Sequence, residues 1–285
     1  MGKQAINIGQ LLGQAISELK EEGIELPELD AEILLAHALG LPRSQLYARL
    51  EENLAPAVED TYKSLVARRL QREPVAYITG HKEFYGLELY VDRRVLIPRP
   101  ETETLVEVGL TTARQNRISA VAEVGVGCGA VAIAMALELP WLEIFAIDDS
   151  SGALAVAQAN CERHDVLDRV HLLLGDLLEP LPEPSGLIVA NLPYVSHDDL
   201  KDLSRDITAY EPLNAIDGGQ DGLQQIRRLL AQARPNLKPP GIICLEIGAG
   251  QASAVNDLAR QHFPEPTVGL VKDLAGLDRV AVVVT

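Results

Sequence analysis

Three glycines stand at alternate positions after a short apolar run near the middle of the chain. The segment reads Glu123-Val124-Gly125-Val126-Gly127-Cys128-Gly129, and a helical stretch begins at Ala130. Glycine is needed where a loop must turn tightly and let a ligand touch its backbone. The helix N-terminus behind the loop offers free N–H groups. The pattern predicts a binding loop for a nucleotide-like ligand, although an ordinary strand–turn–helix also satisfies it.

An acidic residue follows the glycine loop at an informative distance. Asp148 ends the next apolar run, about 20 residues after Gly125, where a carboxylate can reach a pair of ribose hydroxyls. The same glycines, followed by Ala130, also satisfy the dinucleotide pattern. A nicotinamide-dependent dehydrogenase therefore stays open on these residues alone.

A second chemical motif, Asn191-Leu192-Pro193-Tyr194, follows the apolar run that ends at Ala190. Ligands of open α/β sheets bind beyond the carboxyl ends of the strands, so Asn191 should lie near the glycine loop. Its side-chain carbonyl and the main-chain carbonyl of Leu192, held outward by Pro193, can accept both hydrogens of a planar amino group. Tyr194 offers a flat face for stacking. Two acceptors that orient a weakly nucleophilic nitrogen suit its methylation, although a turn built on Asn-x-Pro is common.

Short apolar runs alternate with helical stretches through the C-terminal part of the chain. The predicted strands are 121–124, 144–147, 170–174, 187–190, 241–247 and 279–284, and the predicted helices are 130–139, 152–164, 222–233 and 252–262. This alternation is typical of a mostly parallel sheet covered on both faces. Residues 1–75 instead predict a small helical bundle, with helices near 8–22, 30–39 and 58–70. Between them, Tyr77–Thr79 and Leu87–Val91 predict the strands of a hairpin.

Composition limits the class of protein. The chain has 285 residues, 47% of them hydrophobic, and a formal net charge of −16. An acidic surface repels phosphate backbones and anionic lipid. The three cysteines form no Cys-x-x-Cys, and the first residues lack the pattern of a signal peptide. We therefore expect a cytoplasmic protein, with no direct nucleic-acid partner, no membrane partner and no metal.

Several motifs together resemble one family, the release factor glutamine methyltransferases. They are Asn-x-Pro-Tyr, the Glu-x-Gly-x-Gly-x-Gly loop, Glu73–Gly80 continuing through Phe84–Leu87, Val95–Glu103, Asp217-Gly218-Gly219-x-Asp221-Gly222-Leu223 and Lys272–Gly276. The resemblance covers nearly the whole chain. It implies an α/β fold, a Rossmann-like seven-stranded methyltransferase sheet. Beside the sheet it implies a helical substrate-docking domain (1–75), a β-hairpin linker (76–98) and an S-adenosylmethionine-binding domain (99–285).

The resemblance also implies a set of site residues. Those for the cofactor are Glu123, Gly125, Val126, Gly127, Cys128, Gly129, Asp148, Asp176, Leu177 and Asn191. Arg99, Pro100, Glu101, Thr102 and the segment Asn191–Tyr194 would bind substrate, with catalytic roles for Asn191, Pro193 and Tyr194. Two positions depart from the family, which usually has Pro in place of Leu192 and often an aromatic in place of Leu177.

The implied reaction moves a methyl group from S-adenosylmethionine to a protein substrate and leaves S-adenosylhomocysteine. The acceptor would be the glutamine amide nitrogen in the Gly-Gly-Gln loop of peptide chain release factors, and the enzyme would act as a monomer. Asn-Leu-Pro-Tyr also resembles the motif of adenine methyltransferases that act on nucleic acid, so that alternative stays open. A nonenzymatic cofactor-binding adaptor is a third hypothesis. The chain's own Gly218-Gly219-Gln220 predicts a turn before a helix, and Cys128 predicts a small packing residue.

Overall fold

The computed structural model describes residues 6–285, apart from the side chain of Pro240. The expectation about a signal peptide falls mainly on residues 1–5, which lie outside the described residues. Within the described chain, no helix combines the length and the apolar character needed to cross a membrane.

The helices and strands have the following bounds. The helices are α1 (Ile8–Glu21), α2 (Pro27–Leu39), α3 (Pro56–Leu70), α4 (Val75–Thr79), α5 (Glu103–Asn116), α6 (Ala130–Glu138), α7 (Ser151–Arg163), α8 (Arg205–Thr208), α9 (Gln224–Ala233) and α10 (Ala252–His262). The strands are β1 (His81–Phe84), β2 (Leu87–Tyr90), β3 (Ala120–Val124), β4 (Glu143–Asp148), β5 (Val170–Leu174), β6 (Ser185–Ala190), β7 (Leu237–Glu246), β8 (Thr267–Lys272) and β9 (Asp278–Val284).

The described chain divides into two compact units. One contains residues 6–80 together with 204–210, and the other contains residues 81–203 and 211–285. The domain bounds expected from the sequence, at 75 and 98, stay a prediction.

The first unit is helical, as the sequence predicted. A capping box fixes the N-terminus of α1. The Asn7 side chain accepts from the Gln10 backbone N–H at 2.8 Å, and the Gln10 side chain accepts from the Asn7 backbone N–H. Leucines of α1 and α2 and Tyr62 of α3 form its buried core. The segment 204–210 joins this unit through Asp206, whose carboxylate lies 2.7 Å from the buried guanidinium of Arg69.

The prediction of a strand at Tyr77–Thr79 is wrong, because these residues form the short helix α4. Pro74 precedes the helix with φ −57°, and Gly80 ends it in the left-handed region with φ 75°. The Arg68 guanidinium donates to the carbonyls of Tyr77 and Ile78 at 3.5 and 3.4 Å. These contacts satisfy carbonyls at the end of the helix that a single turn leaves free.

The predicted hairpin exists, with β1 in place of Tyr77–Thr79 as its first strand. β1 and β2 are antiparallel, and Phe84 faces Leu87 across the turn. Tyr85 and Gly86 both have positive φ, 54° and 73°. A two-residue loop of this kind matches the twist of the strands that it joins.

The second unit is built on one mixed sheet of seven strands, in the order β5-β4-β3-β6-β7-β9-β8 among the described residues. The first five strands in this order, from β5 to β7, are parallel to one another. Strand β9 runs antiparallel to both of its neighbours, β7 and β8. The expected α/β, Rossmann-like sheet is therefore confirmed. The order reverses between β3 and β6, and such a switch point opens a crevice at the carboxyl ends of the strands.

Candidate active site

A cleft lies at that switch point, where ligands of open α/β sheets bind. Val124 is the register partner of both Ile147 and Ala190. Asp148 is the last residue of β4, and Gly125 and Asn191 directly follow β3 and β6, so the sheet itself brings the three together. All three line the cleft.

The glycine loop takes the backbone conformations that its sequence predicts. Gly125, Gly127 and Gly129 have φ values of 80°, 55° and 87°, which side chains rarely adopt. A Cβ on Gly125 would lie 3.1 Å from the main-chain oxygen of Asn191. The absence of a side chain therefore lets the glycine loop and the Asn-Leu-Pro-Tyr segment approach each other closely.

The Asp148 carboxylate is held by the backbone of the loops around it. Its Oδ2 accepts from the Gly127 N–H, and its Oδ1 accepts from the Ser150 N–H, both at 2.9 Å. Burial raises the pKa of Asp148, and the two backbone hydrogen bonds partly offset the rise. A carboxylate fixed on one side in this way keeps its remaining lone pairs for a ligand's hydroxyls.

Glu123 lines the same cleft and has a carboxyl oxygen without a hydrogen-bond partner among the described residues. Its side chain is buried, and Oε2 has no hydrogen-bond partner within the described chain. Burial raises the pKa of Glu123 well above its ordinary value, and the nearby charge of Asp148 adds to the rise. An orphaned carboxylate oxygen is costly, and a ligand that carries a positive charge would satisfy it.

Asp176 and Leu177 line another part of the cleft, after β5. Leu177 is buried and has φ 51°, an unusual conformation for a bulky residue and one of the strained conformations that cluster at functional sites. The Asp176 carboxylate accepts from the Arg228 guanidinium. The site therefore offers an apolar surface beside a hydrogen-bonding acid, which suits a heteroaromatic ring with polar edges.

The Asn191 side chain is oriented by a threonine. Its Nδ2 donates to the Thr102 hydroxyl oxygen at 3.1 Å. Because the amide nitrogen is engaged there, Oδ1 is the acceptor that this side chain offers to a ligand. Asn191, Leu192 and Pro193 all line the cleft.

Tyr194 is held by hydrogen bonds at its hydroxyl and at its main-chain oxygen, and its stacking role stays a prediction. It does not belong to the described lining of the cleft, and its hydroxyl donates to Glu246 Oε1 at 3.4 Å. Its main-chain oxygen accepts from Gln251 Nε2 at 2.9 Å, and that nitrogen also donates to the Gly222 carbonyl. The turn containing Gly222 packs so tightly on Tyr194 that a Cβ there would lie 2.4 Å from the Tyr194 oxygen.

Arg99 and Thr102 line the cleft from the segment before α5. The Arg99 guanidinium donates to the buried carboxylate of Glu211, which also accepts from the Ile97 N–H at 3.1 Å. This pair fixes the backbone that leads into the 3-10 turn Pro100–Thr102.

The cleft brings most of the predicted site residues together. Its lining includes Arg99, Thr102, Glu123, Gly125, Val126, Gly127, Cys128, Asp148, Asp176, Leu177, Asn191, Leu192 and Pro193, and it lacks Pro100, Glu101, Gly129 and Tyr194. Sequence reasoning missed Asp149, Asn214 and Gln225, which also line the cleft. Asp149 could have been found beside Asp148, whereas Asn214 lies in the 3-10 turn Leu213–Ala215 and Gln225 in the first turn of α9, outside the motifs that the sequence showed.

Two smaller expectations agree with the structure. Cys128 is buried, and burial raises the pKa of its thiol to about 12, so it packs as a neutral residue. Gly218-Gly219-Gln220 leads through a turn into α9.

Comparisons with known proteins agree with this architecture. The family model for the PrmC N-terminal domain matches residues 10–80, and the model for the methyltransferase small domain matches residues 102–209.

The solved hMettl16 catalytic domain, in complex with a hairpin of the MAT2A 3′UTR, gives a TM-score of 0.57 at 14% identity over 78% of this chain and 81% of its own. A methyltransferase from Pyrococcus furiosus gives 0.52 at 18% identity over 76% and 95%. At such identities these two structures support the fold alone. Fold, site and family models together define an S-adenosylmethionine-dependent methyltransferase.

Relatives in sequence narrow the class to a family. The release factor glutamine methyltransferase of Moorella thermoacetica is 42% identical over 96% of this chain and 97% of its own length. That of Geobacter sulfurreducens is 42% identical over 92% and 91%. The chain belongs to the release factor glutamine methyltransferase family.

Proposed function

We propose that this enzyme methylates the side-chain amide nitrogen of the glutamine in the Gly-Gly-Gln loop of peptide chain release factors. One observation carries the proposal. Asn191 lies beside the glycine loop with its nitrogen engaged by Thr102, so that its Oδ1 faces a ligand as an acceptor. A primary amide has two N–H groups; Oδ1 would receive one, and we expect the main-chain oxygen of Leu192 to receive the other.

The residues of the cleft fit S-adenosylmethionine. The Asp148 carboxylate would hold the ribose hydroxyls, and the glycine loop with the N-terminus of α6 would receive the methionine part. The unpartnered Oε2 of Glu123 suits a cofactor that carries positive charge. Leu177 and Asp176 would contact the adenine, with the Leu177 side chain against the ring face. The buried Val126 and Cys128 complete the wall beside the methionine part.

The reaction requires a correctly oriented amide nitrogen rather than a strong acid or base. When bound, S-adenosylmethionine supplies a methyl group that is attached to a positively charged sulfur, and the leaving group is a neutral thioether. The chain's task is to prepare an amide nitrogen whose lone pair is delocalised. Hydrogen bonds from both N–H groups to Asn191 and Leu192 fix the nitrogen and stabilise the positive charge that develops on it. The nitrogen gains the carbon, the sulfur keeps the electron pair of the broken bond, and one amide proton passes to solvent.

The helical unit would supply affinity for the intact release factor. A glutamine side chain is small, so specificity for one protein must come from contacts away from the reacting atom. Leu26 and Tyr47 are exposed apolar side chains of this unit, 56% and 60% accessible. Large apolar and aromatic side chains of this kind dominate protein interfaces. We assign the docking role to this unit, with Leu26 and Tyr47 as its candidate anchors.

The proposal is tested by incubating the enzyme with S-adenosylmethionine labelled on its methyl group, with either a purified release factor or total RNA as acceptor. Label in the protein, lost when the glutamine of the acceptor loop is replaced by alanine, is the expected result. Label in RNA and none in the release factor would support the adenine methyltransferase alternative instead. A chain with Asn191→Ala serves as the inactive control in both arms.

A further inference from the structure

Glu246, the last residue of β7, is a buried acid that the proposed reaction leaves without a role. Its side chain is 1% exposed, and its Oε2 has no hydrogen-bond partner within the described chain. Burying a charged or unpartnered oxygen costs free energy that an apolar residue at the end of a strand would not cost. A residue that only fills space here would not need to be an acid.

Two hydroxyls and two charged groups surround Glu246. The Tyr194 hydroxyl donates to Oε1 at 3.4 Å, and the buried Thr102 side chain is near enough to lower the pKa of the carboxyl as a hydrogen-bonding group does. Arg279 of β9 acts on Glu246 with its positive charge and Glu101 with its negative charge. Arg279 is itself engaged by Asp273 at 3.1 Å and by the Ile247 carbonyl.

Burial dominates the balance of these effects. Burial raises the pKa of Glu246 to about 7, and the negative charge of Glu101 adds to the rise. Thr102, the positive charge of Arg279 and the Tyr194 hydroxyl each lower this pKa but do not outweigh burial.

Thr102 links Glu246 to Asn191. The threonine oxygen receives the hydrogen from Asn191 Nδ2 at 3.1 Å, and its own single hydrogen is free to be donated elsewhere. A hydroxyl whose hydrogen is committed to a carboxylate can only accept from its other neighbours. Asn191 must then turn its NH₂ group toward Thr102 and its oxygen toward the cleft. Without that commitment, the reversed side-chain amide, with NH₂ facing the cleft, becomes accessible.

We propose that Glu246, as the carboxylate, is a positioning residue for methyl transfer, acting through Thr102 to keep the Asn191 oxygen aimed at the amide of the substrate. The inference rests on the proposed function for the role of Asn191 as an acceptor. Reversal of the Asn191 amide would set two NH₂ groups against each other, one from the enzyme and one from the glutamine. Glu246 thereby determines which orientation of Asn191 the substrate meets.

The test compares wild type with Glu246→Gln, which keeps the shape of the side chain and removes the charge. With a short Gly-Gly-Gln peptide at saturating concentration, kcat should fall about tenfold or more while the Kd for S-adenosylmethionine stays within about twofold. In wild type, kcat should rise with pH to a plateau above about 7, and in the variant this ionisation should disappear. Glu32→Gln, at a buried acid of the helical unit, is the matched control and should keep the wild-type kcat.

Coupling and spectroscopy separate this inference from the function on which it rests. Adding Glu246→Gln to Asn191→Ala should lower kcat little further, because both changes act through one residue. The side-chain amide NMR signals of Asn191, assigned by their loss in Asn191→Ala, should shift with pH around 7 in wild type and not in Glu246→Gln. A wild-type kcat and pH profile in Glu246→Gln would overturn the inference and leave the proposed function intact. Absence of release-factor methylation by wild type would overturn the function, and the NMR titration would still decide the role of Glu246.

Discussion

The side chain of Asn191 donates to Thr102 Oγ1 across 3.1 Å, so a residue at the end of β6 is oriented by one that lies just before α5. These two residues are 89 positions apart in the sequence. The pairing turns an asparagine with two possible amide orientations into a defined hydrogen-bond acceptor.

Asp148→Ala should weaken binding of S-adenosylmethionine by about 1.5–3 kcal/mol, because charge-assisted hydrogen bonds to the ligand are lost. Isothermal titration calorimetry of the two proteins measures the difference. Asp198→Ala is the matched control, since that side chain is 91% exposed and pairs with Lys201, and it should bind as wild type does. Equal affinities for wild type and Asp148→Ala would remove Asp148 from the site.

Gly125→Ala should destabilise the protein by about 1–2 kcal/mol, since a residue with a side chain is strained at positive φ. The new Cβ would also press on the Asn191 carbonyl oxygen, so cofactor affinity should fall as well. Gly13→Ala is the control, because Gly13 lies within α1 with open space around it. It should stabilise by about 0.5–1 kcal/mol in urea unfolding. A Gly125→Ala protein as stable and as active as wild type would contradict the close approach of the two loops.

Glu246→Gln should change how stability depends on pH. The pKa of Glu246 is raised from 4.5 to about 7 in the folded chain, so the folded state binds this proton more tightly than the unfolded state. Stability from this group is then present at low pH and is lost as pH rises from about 4.5 to 7. The wild type should lose up to about 3 kcal/mol in that window relative to the variant. Denaturant unfolding at several pH values measures it, and parallel curves would show that Glu246 has an ordinary pKa.

Combined Leu26→Ser and Tyr47→Ser should raise KM for an intact release factor about tenfold or more, because interface anchors on this scale are worth about 2 kcal/mol or more. The kcat/KM for a short Gly-Gly-Gln peptide should stay unchanged. These substitutions are preferable to deletion of residues 1–75, since residues 204–210 pack into the same unit. Trp141→Ser, at a 57% exposed residue of the other unit, is the control. Unchanged kinetics with the intact factor would place docking elsewhere.

Much of the fold could be predicted because buried strands are recognisable in the sequence as short apolar runs. The strands from β3 to β7, and β9, all appeared in the sequence in this way. Strand β8 was missed because it is an edge strand, with most of its side chains exposed or half-buried. The helix α4 was read as a strand, since its apolar residues are too few to show a period, and its carbonyls are satisfied by the distant Arg68.

The candidate site was predictable where it depends on strand ends. Asp148 ends a strand in the parallel part of the sheet, Gly125 and Asn191 each follow one, and the sheet register brings the three together. Glu246 was not predictable, because an acid at the end of a strand gives no sign in the sequence of being buried against Thr102 and Tyr194. The hydrogen bond from the Tyr194 hydroxyl to Glu246 likewise depends on tertiary structure.

The most direct test of the account is to map the methyl group on a release factor after a single turnover. Fragment mass spectrometry should place one methyl group on the side-chain nitrogen of the glutamine in the Gly-Gly-Gln loop when wild type is used. Asn191→Ala should form the same product about 100-fold more slowly or worse, with S-adenosylmethionine binding largely kept. A methyl group on any other atom, or near-normal transfer by Asn191→Ala, would contradict the claim that this asparagine prepares the amide for methylation.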